Sequence, residues 1–552
     1  MGAPSGHQES TDSAQSAQFA LWLVLILTFC IAAPTFANAN TITVDEAGEP
    51  FLFFGRCSIR RAIENHNAKG QPNKQCASGS GNDIIDLPLN ATVTSPLPTI
   101  EGTLTIEPGH GRGLQCTGIE GAAYVTVASG ANLTLWGVGL TTNGSNSSSV
   151  INNSGTLTIK PWAGKSCGYS NEKRGSVPFS GGIITNRPGA TTTISGGANL
   201  VNSSLSGNGP LNEGGAIDIQ GGTVNINDQT AELPIRFTDD SATNGGAIFV
   251  APNARLNIAS NNFTFLNNSA TSGAAIYNSG GTVTIGPGTN RPPTVDRSIA
   301  YNSASNGGAI YNRSGQVTID GVQIFNNTAH SNGGAIFVTD NLGNQLPTTI
   351  TRTYFHDNAA SGNGAVIYLS SNAILNASGD TFTSDRALQR GATYVDTGSQ
   401  MKVVNCTFLG GSPNPEGITV GSGAAEVVFS TIAASNLLGS ASSIRLSNSL
   451  LQSVSCNQAV VDDGLNLQSA SALCPPSIPD MVPALVLTLA NHGGLTPTIA
   501  LSNGSPAIDA IPVGDCIDQE GNKVTVDQRG FGRPAGPACD IGAFEFGAVP
   551  VP

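Results

Sequence analysis

A five-residue element returns along the middle of this chain at intervals too regular for an ordinary globular protein. It reads GGAID at 214–218, GGAIF at 245–249, GAAIY at 273–277, GGAIY at 307–311 and GGAIF at 333–337. Weaker copies stand at 181–185 (GGIIT), 363–367 (NGAVI) and 390–394 (RGATY), so successive starts lie 26 to 34 residues apart. A period of about 30 residues marks a solenoid, in which each repeat is one structural unit stacked on the next.

The segments between the copies say which solenoid. After each GGAI comes a short alternating stretch, such as Leu256-Asn257-Ile258, Val283-Thr284-Ile285 or Val317-Thr318-Ile319. A second follows with an aromatic residue (Phe263-Thr264-Phe265, Ile324-Phe325, Tyr354-Phe355), then a polar turn such as Asn267-Asn268-Ser269-Ala270 or Asp357-Asn358-Ala359-Ala360. Period-two alternation sends Val, Ile and Phe to one face and Thr, Asn and Ser to the other. The expected fold is all-β: a single right-handed parallel β-helix with three strands per coil. An aliphatic column fills its interior, Asn ladders run along its corners, and Gly or Ala occupies the tight bends. A β-sandwich or propeller would need a hairpin turn between every pair of strands, and Asn-Gly or Asp-Gly does not stand between every pair here.

Composition agrees with an elongated array. The chain has 68 Gly and only 11% charged residues, which suits turn-rich β structure. A formal net charge of −13 leaves no basic stripe to neutralise phosphates, so nucleic acid is excluded as a partner. Residues 19–33 (FALWLVLILTFCIAA) form an apolar run too short for a comfortable membrane span, followed by the small-residue site Ala37-Asn38-Ala39. Residues 1–39 therefore read as a signal peptide, although 1–18 carry no Lys or Arg. The mature chain is expected to be secreted or cell-surface, with no membrane span.

Nine cysteines follow that segment. Cys57 with Cys76, Cys456 with Cys474, and Cys516 with Cys539 are local pairs, and Cys116 with Cys167 is a longer candidate, as an exported protein would carry. Cys406 is left over, and the alternation around it turns its thiol inward. No CxxC pair with a His partner points to zinc.

Within CSIRRAIENHNA (57–68), Ile59, Ala62 and Ile63 fall at i, i+3 and i+4, one apolar face of a short helix. With a disulfide, such a helix would cap the open first coil, whose bare edge invites aggregation. The stretch resembles the CSLREA motif that opens a large group of secreted bacterial β-helix proteins. Gly81-Asn82-Asp83-Ile84-Ile85-Asp86-Leu87 and Leu97-Pro98-Thr99-Ile100 are similar to that group's next strands. Arg61 stands where the motif has Glu, so the capping box begun by Ser58 is incomplete.

Near the other end, Asn491-His492-Gly493-Gly494-Leu495-Thr496-Pro497, Gly504-Ser505-Pro506-Ala507-Ile508-Asp509, Asp527-Gln528-Arg529-Gly530 and Asp540-Ile541-Gly542-Ala543-Phe544-Glu545 resemble the choice-of-anchor Q domain. That resemblance covers roughly residues 487–546 and implies export rather than an activity. The GGAI elements, with Phe265 and Asn268 or Phe355 and Asn358, are also similar to the repeats of polymorphic outer-membrane proteins. Those proteins are adhesins that end in a membrane barrel. The residues after Gly547 are too few for a barrel and hold no apolar anchor, so free secretion is the expectation. The expected organisation is thus a signal peptide (1–39), an N-terminal cap (40–83), the solenoid (84–455) and a C-terminal cap (456–552). Insertions at 160–180 and 286–293 would interrupt the solenoid.

Parallel β-helices also host polysaccharide lyases and hydrolases, which need carboxylates clustered on neighbouring coils. Asp239 and Asp240 are the weak catalytic candidates, yet they fill the turn position held by Asn267-Asn268 and Asn326-Asn327 in other coils, where a side chain satisfies local backbone. Gly109-His110-Gly111 lies several coils away. Asp296, Arg297, Asp320, Arg352, Asp357, Asp380, Asp385 and Arg386 are scattered as solubilising surface residues would be. Asp509, Asp527, Arg529, Arg533, Asp540 and Glu545 form the densest charged set, suited to sealing the C-terminal edge; no cofactor is expected, and calcium held by these carboxylates is the one metal to consider. The expected function is adhesin-like binding of glycans or of another cell's surface proteins by the long Thr/Asn/Ser face. A pectate lyase- or polygalacturonase-like enzyme is the alternative, and a structural spacer a third reading.

Overall fold

In the computed structural model, one coil shows how the alternating segments are used. Its strands are Arg255–Ala259, Phe263–Leu266, Ser269–Ser272 and Ile276–Ser279, and the chain returns as Thr282–Gly286, parallel to the first. Repetition of this path builds parallel sheets of 16, 15 and 13 strands and a strip of six. The fold is a parallel β-helix. The structure describes residues 39–551 except 49–54, 88–89, 109–112, 117–122, 143–148, 162–166, 172–181, 202–212, 228–232, 287–295, 411–416, 441, 470–473 and 481–484. The expected signal peptide (but for Ala39), His110 and most of both expected insertions lie outside the described residues.

The strip of six is a departure from three strands per coil. Ser269-Ala270 reads as a turn, yet Ser269–Ser272 pairs with Ser241–Asn244 and with Ser303–Asn306. Short Ser, Ala and Thr side chains at the same place in successive coils let the backbone stay extended there and pair.

Inside, residues in register stack into columns. On the 16-strand sheet Ile226, Ile258, Ile285 and Ile319 are neighbours, and all are buried. Phe237 stacks on Phe265 at 4.6 Å, and Phe382 on Phe408 at 4.4 Å. The double glycine of the repeat has a steric cause. Gly245 has φ +65°, and a Cβ there would lie 2.1 Å from Ile248 O; a Cβ on Gly246 would lie 2.4 Å from Ala274 O of the next coil. Coils this close to one another leave no room for a side chain.

Asn ladders run along a corner, as expected. The column is Asp240, Asn268, Asn302, Asn327, Asn358 and Asp385. Asn268 donates through its backbone N–H and Nδ2 to Asn302 Oδ1 (3.0 and 2.8 Å), and Asn302 does the same to Asn327 (3.0 and 2.9 Å). Asn327 repeats the pattern to Asn358 (3.1 and 3.0 Å), and Asn358 to Asp385 (2.8 and 3.1 Å). In several coils the preceding residue has positive φ, as at Asp239 (57°), Asn267 (58°), Asn326 (52°) and Asp357 (57°), a conformation that Asn and Asp tolerate. A second ladder occupies the corner between the 16- and 15-strand sheets. Thr353 N–H donates to Asp380, Asp380 N–H to Cys406 Sγ, Cys406 N–H to Ser430, Ser430 N–H to Ser449, and Ser449 N–H to Asn466.

The first coil is closed by α1 (Ile59–Ala68), the one α-helix among the described residues. Ser58 caps it by accepting Arg61 N–H, so half of the capping box survives the missing Glu. Ile59, Ala62 and Ile63 join the continuous solenoid core, and a Cys57–Cys76 disulfide ties the cap. The sheets reach beyond 84–455 in both directions, from Asn40–Thr43 to Leu467–Gln468.

The C-terminal segment corrects an expectation. Residues 485–551 do not seal the end of the solenoid; they fold back along its flank, against the second ladder's corner. Asn405 Nδ2 donates to Val526 O at 2.9 Å, Thr431 Oγ1 accepts Ala543 N–H at 3.0 Å, and Gly542 N–H donates to Asn448 O. A second, smaller core of Phe429, Leu450, Leu501, Ile511, Ile541 and Phe544 lies between flank and module. At the last coil, a Cys456–Cys474 disulfide and a bridge between Gln468 and Asp480 cover the end instead.

Candidate functional site

The outward positions of the 16-strand sheet form a grid. One column runs Thr103, Asn132, Thr156, Thr191, Thr223, Arg255, Thr282, Gln316. Beside it runs Thr105, Thr134, Thr158, Thr193, Asn225, Asn257, Thr284, Thr318, and that column continues through Thr349 and Asn376 to Lys402. All are exposed or half-exposed, while the residues between them point into the core. Strands about 4.8 Å apart and residues about 3.3 Å apart along each strand set its cell at roughly 4.8 by 6.6 Å. Some members bond along the axis, as Asn257 Nδ2 does to Asn225 Oδ1 at 2.9 Å.

Both ends of the grid carry charge. On the edge beside the first coils, Asp86 pairs in register with Glu107, and Trp136 with Lys160 two strands further on. The Lys160 ammonium lies 4.3 Å from the centre of the Trp136 ring. At the far end the C-terminal module overhangs the sheet. A cleft of about 320 Å³ opens there, lined by Thr349, Thr351, Asn376, Ser378, Lys402 and Glu520 among others. Lys402 lies 3.0 Å from Asp518 and 2.7 Å from Glu520; burial works against its charge, but those hydrogen bonds hold its pKa above the usual value.

The 13-strand sheet faces outward differently. Phe249, Tyr277, Tyr311, Phe337, Tyr368 and Tyr394 stand in one column, centroids 4.8 to 5.6 Å apart and rings within 27° of parallel. Each inner ring spends both faces on its neighbours, so solvent meets mainly edges and hydroxyls. A sugar stacks on a ring face, and this column offers few. The residue after each inward Ile must point out by alternation, but neither this place for the aromatics nor their stacking was read from the sequence. Below the column, Asp218 is buried with Oδ1 unpartnered. Burial, against a hydrogen bond from Gln220 and with Glu213 nearby, pushes its carboxyl up to about 7.

The catalytic candidates sit in corner positions. Asp240 is fully buried at the first step of the Asn ladder, its N–H bonded to Asn268 Oδ1 at 2.9 Å, and Asp239 holds the left-handed turn before it. Two residues expected at the surface are ladder members instead. Asp380 and Asp385 are buried, because a coil-to-coil N–H at each corner needs an acceptor; burial pushes Asp380 well above the usual carboxylate range. Arg297 is buried as well, whereas Asp320 and Arg352 form a surface ion pair.

The dense C-terminal charges do interlock. Asp527 accepts from Arg529 and Phe531 N–H and from Glu545 N–H, and Glu545 accepts from Ala535 and Asp540 N–H. Arg533, wholly buried, lies 3.0 Å from Glu545 and donates to Gly542 O at 2.8 Å. Asp540 accepts from Asp509 and Phe546 N–H; burial raises its carboxyl to about 6. These oxygens point at protein N–H groups rather than at a shared open position, and no cluster of three or more metal-ligating side chains occurs among the described residues.

Three of the four expected disulfides form: Cys57–Cys76, Cys456–Cys474 and Cys516–Cys539. Cys406 is free and buried. The side chains of Cys116 and Cys167 lie outside the described residues; in the backbone register the strand Gly139–Thr142 stands between theirs.

Comparison with known proteins fits this architecture in its repeats. The Chlamydia polymorphic membrane protein repeat matches residues 262–279 and 321–339. Both stretches span strands and ladder corners of the coils described above. Neither a curated protein nor a solved structure matches the chain. Among the described residues no helix is long and apolar enough to cross a membrane.

Proposed function

We propose that this is an exported β-helix protein, secreted or held at the cell surface, whose Thr/Asn grid binds glycans or surface proteins of another cell in an adhesin-like manner. The observation that carries the reading is the grid itself: from Thr103 to Thr318, two columns of hydroxyl and amide side chains, Arg255 excepted, on a rigid sheet, none needed for the core. Repeats similar to those of polymorphic membrane proteins and three disulfides support a place outside the cytoplasm. Similarity to CSLREA and choice-of-anchor Q segments points the same way. Hydroxyls and amides both donate and accept, so weak contacts add over many coils. The test is retention of the purified mature chain on a glycan panel and on whole cells, with Thr158→Arg plus Thr193→Arg as the grid-breaking variant. Retention that the variant leaves untouched would refute the grid.

A second reading, glycoside hydrolysis, has one observation in its favour. Asp86 and Glu107 are register partners at the grid's edge, and a strand spacing of about 4.8 Å approaches the carboxyl separation of about 5 Å used by retaining glycosidases. New reducing ends that Glu107→Gln abolishes would establish it.

A further inference from the structure

The grid has a charge, a repeat and an end, and each selects among glycans. Of its sixteen side chains from Thr103 to Gln316 and from Thr105 to Thr318, Arg255 alone is charged. A polyanion would find one cation along eight coils to neutralise it. The axial repeat of about 4.8 Å is close to the rise of one sugar in an extended β-linked chain. A straight polymer therefore meets a pair of outward side chains at every coil, whereas a coiled α-linked chain falls out of step. At the far end, the cleft under the C-terminal module receives the line of the second column through Thr349 and Asn376.

We propose that the grid binds an extended, uncharged β-linked polysaccharide laid parallel to the coil axis, one sugar per coil, with its leading end in the cleft beside Lys402 and Glu520. This deepens the glycan-binding reading above and rests on it. Single contacts here are worth little, since each replaces a hydrogen bond to water. Affinity then comes from repetition on a face that is already ordered before the ligand arrives. Length dependence is the signature.

The experiment titrates the full mature chain with neutral β-1,4-linked oligosaccharides of three to eight sugars, with amylose and polygalacturonate in parallel. The expected result is a Kd that falls at least about tenfold between trimer and hexamer and does not move with salt, because screening acts between charges and the ligand carries none. Amylose and polygalacturonate should not compete. Thr158→Arg with Thr193→Arg should weaken hexamer binding at least about tenfold with an unchanged unfolding midpoint, while Thr158→Ser restores most of it. A Kd independent of length, or a preference for polygalacturonate, would overturn the proposal. If the double variant instead abolishes retention of a charged or coiled glycan, this proposal falls and the general reading stands; if it changes no binding at all, both fall.

Discussion

Asn327 is where the fold is most exposed to one substitution. Its Oδ1 accepts Asn302 N–H (3.0 Å) and Asn302 Nδ2 (2.9 Å), and its Nδ2 donates to Ile299 O (2.9 Å), Phe325 O (3.1 Å) and Asn358 Oδ1 (3.0 Å). Asn327→Ala leaves the buried Asn302 N–H without its acceptor, at about 1–3 kcal/mol. Asn302 Nδ2 keeps the carbonyls of Phe265 and Ala300. The two carbonyls served by Nδ2 lose a donor, and a small cavity adds about 1 kcal/mol more. The expected loss is about 3–5 kcal/mol in urea unfolding. Because solenoid coils couple to their neighbours, the Asn302 amide should also lose its hydrogen-exchange protection. Asn327→Asp keeps the acceptor but turns an oxygen toward two carbonyls and Asn358 Oδ1. It must hold a proton to be tolerated, so that variant should be more stable at pH 5 than at pH 8. A loss under about 1 kcal/mol for Asn327→Ala, with the Asn302 amide still protected, would refute the ladder as a source of stability.

Other sites make sharper statements about charge and docking. Asp218, raised from the ordinary 3.8 to about 7, makes the folded chain bind more protons than the unfolded one between those values. Stability should fall as pH rises through that window, by up to about 4 kcal/mol, and level off above it. Asp218→Asn should flatten the curve, and an equal slope in the variant would show that other groups cause it. Cys406, whose thiol burial pushes up, should resist thiol reagents until the protein unfolds. Its Sγ takes a ladder position that Ser430 and Ser449 fill in the next coils, so Cys406→Ser should cost under about 1 kcal/mol and Cys406→Val about 1–3 kcal/mol, as read by urea unfolding. Gln528 is buried, donating to Asp380 O and Thr381 Oγ1 and accepting from Thr407 Oγ1. Gln528→Ala should weaken docking by about 2–4 kcal/mol and expose residues 485–551 to limited proteolysis while the coils stay intact; a module that stays equally protected would show that its apolar core alone holds it.

How far the sequence could be read depends on whether a residue's role repeats. Ile226, Ile258, Ile285 and Ile319 recur with their coil, and alternation sends each inward, as the structure has them. Asn268, Asn327 and Asn358 recur too, and turn chemistry marks their corner. Asp380 does not look like Ser430 or Cys406, although all three answer one demand, an acceptor for the N–H of the coil before. Its charge suggested solvent, and only packing reveals the corner. The C-terminal module was hidden for another reason. Its internal ion pairs were legible from the spacing of Asp527, Arg529, Arg533 and Glu545, but spacing holds no record of where a finished unit docks. The contacts that place it, Asn405 with Val526 or Thr431 with Ala543, join residues more than a hundred positions apart.

That docking also bears on where binding can occur. Along the last coils the outward positions of the 16-strand sheet are taken: Lys402 is paired with the module's Asp518 and Glu520, and Arg445 with Asp463. On the 13-strand sheet the outward aromatics use their faces on each other. Asn268, Asn302, Asn327 and Asn358, along the ladder corner, spend their side-chain donors on backbone and neighbours. Thr103 to Thr318 is different, since its side chains vary among Thr, Asn, Gln and Arg while the buried residue between the two columns is Leu or Val in every coil but that of Thr192. Variation confined to the outer position of an otherwise repeating strand is what a sheet tolerates when those side chains carry no packing duty. A flat surface free of such duty, ending at a cleft made by a second module, is the part of this molecule best placed to meet something else.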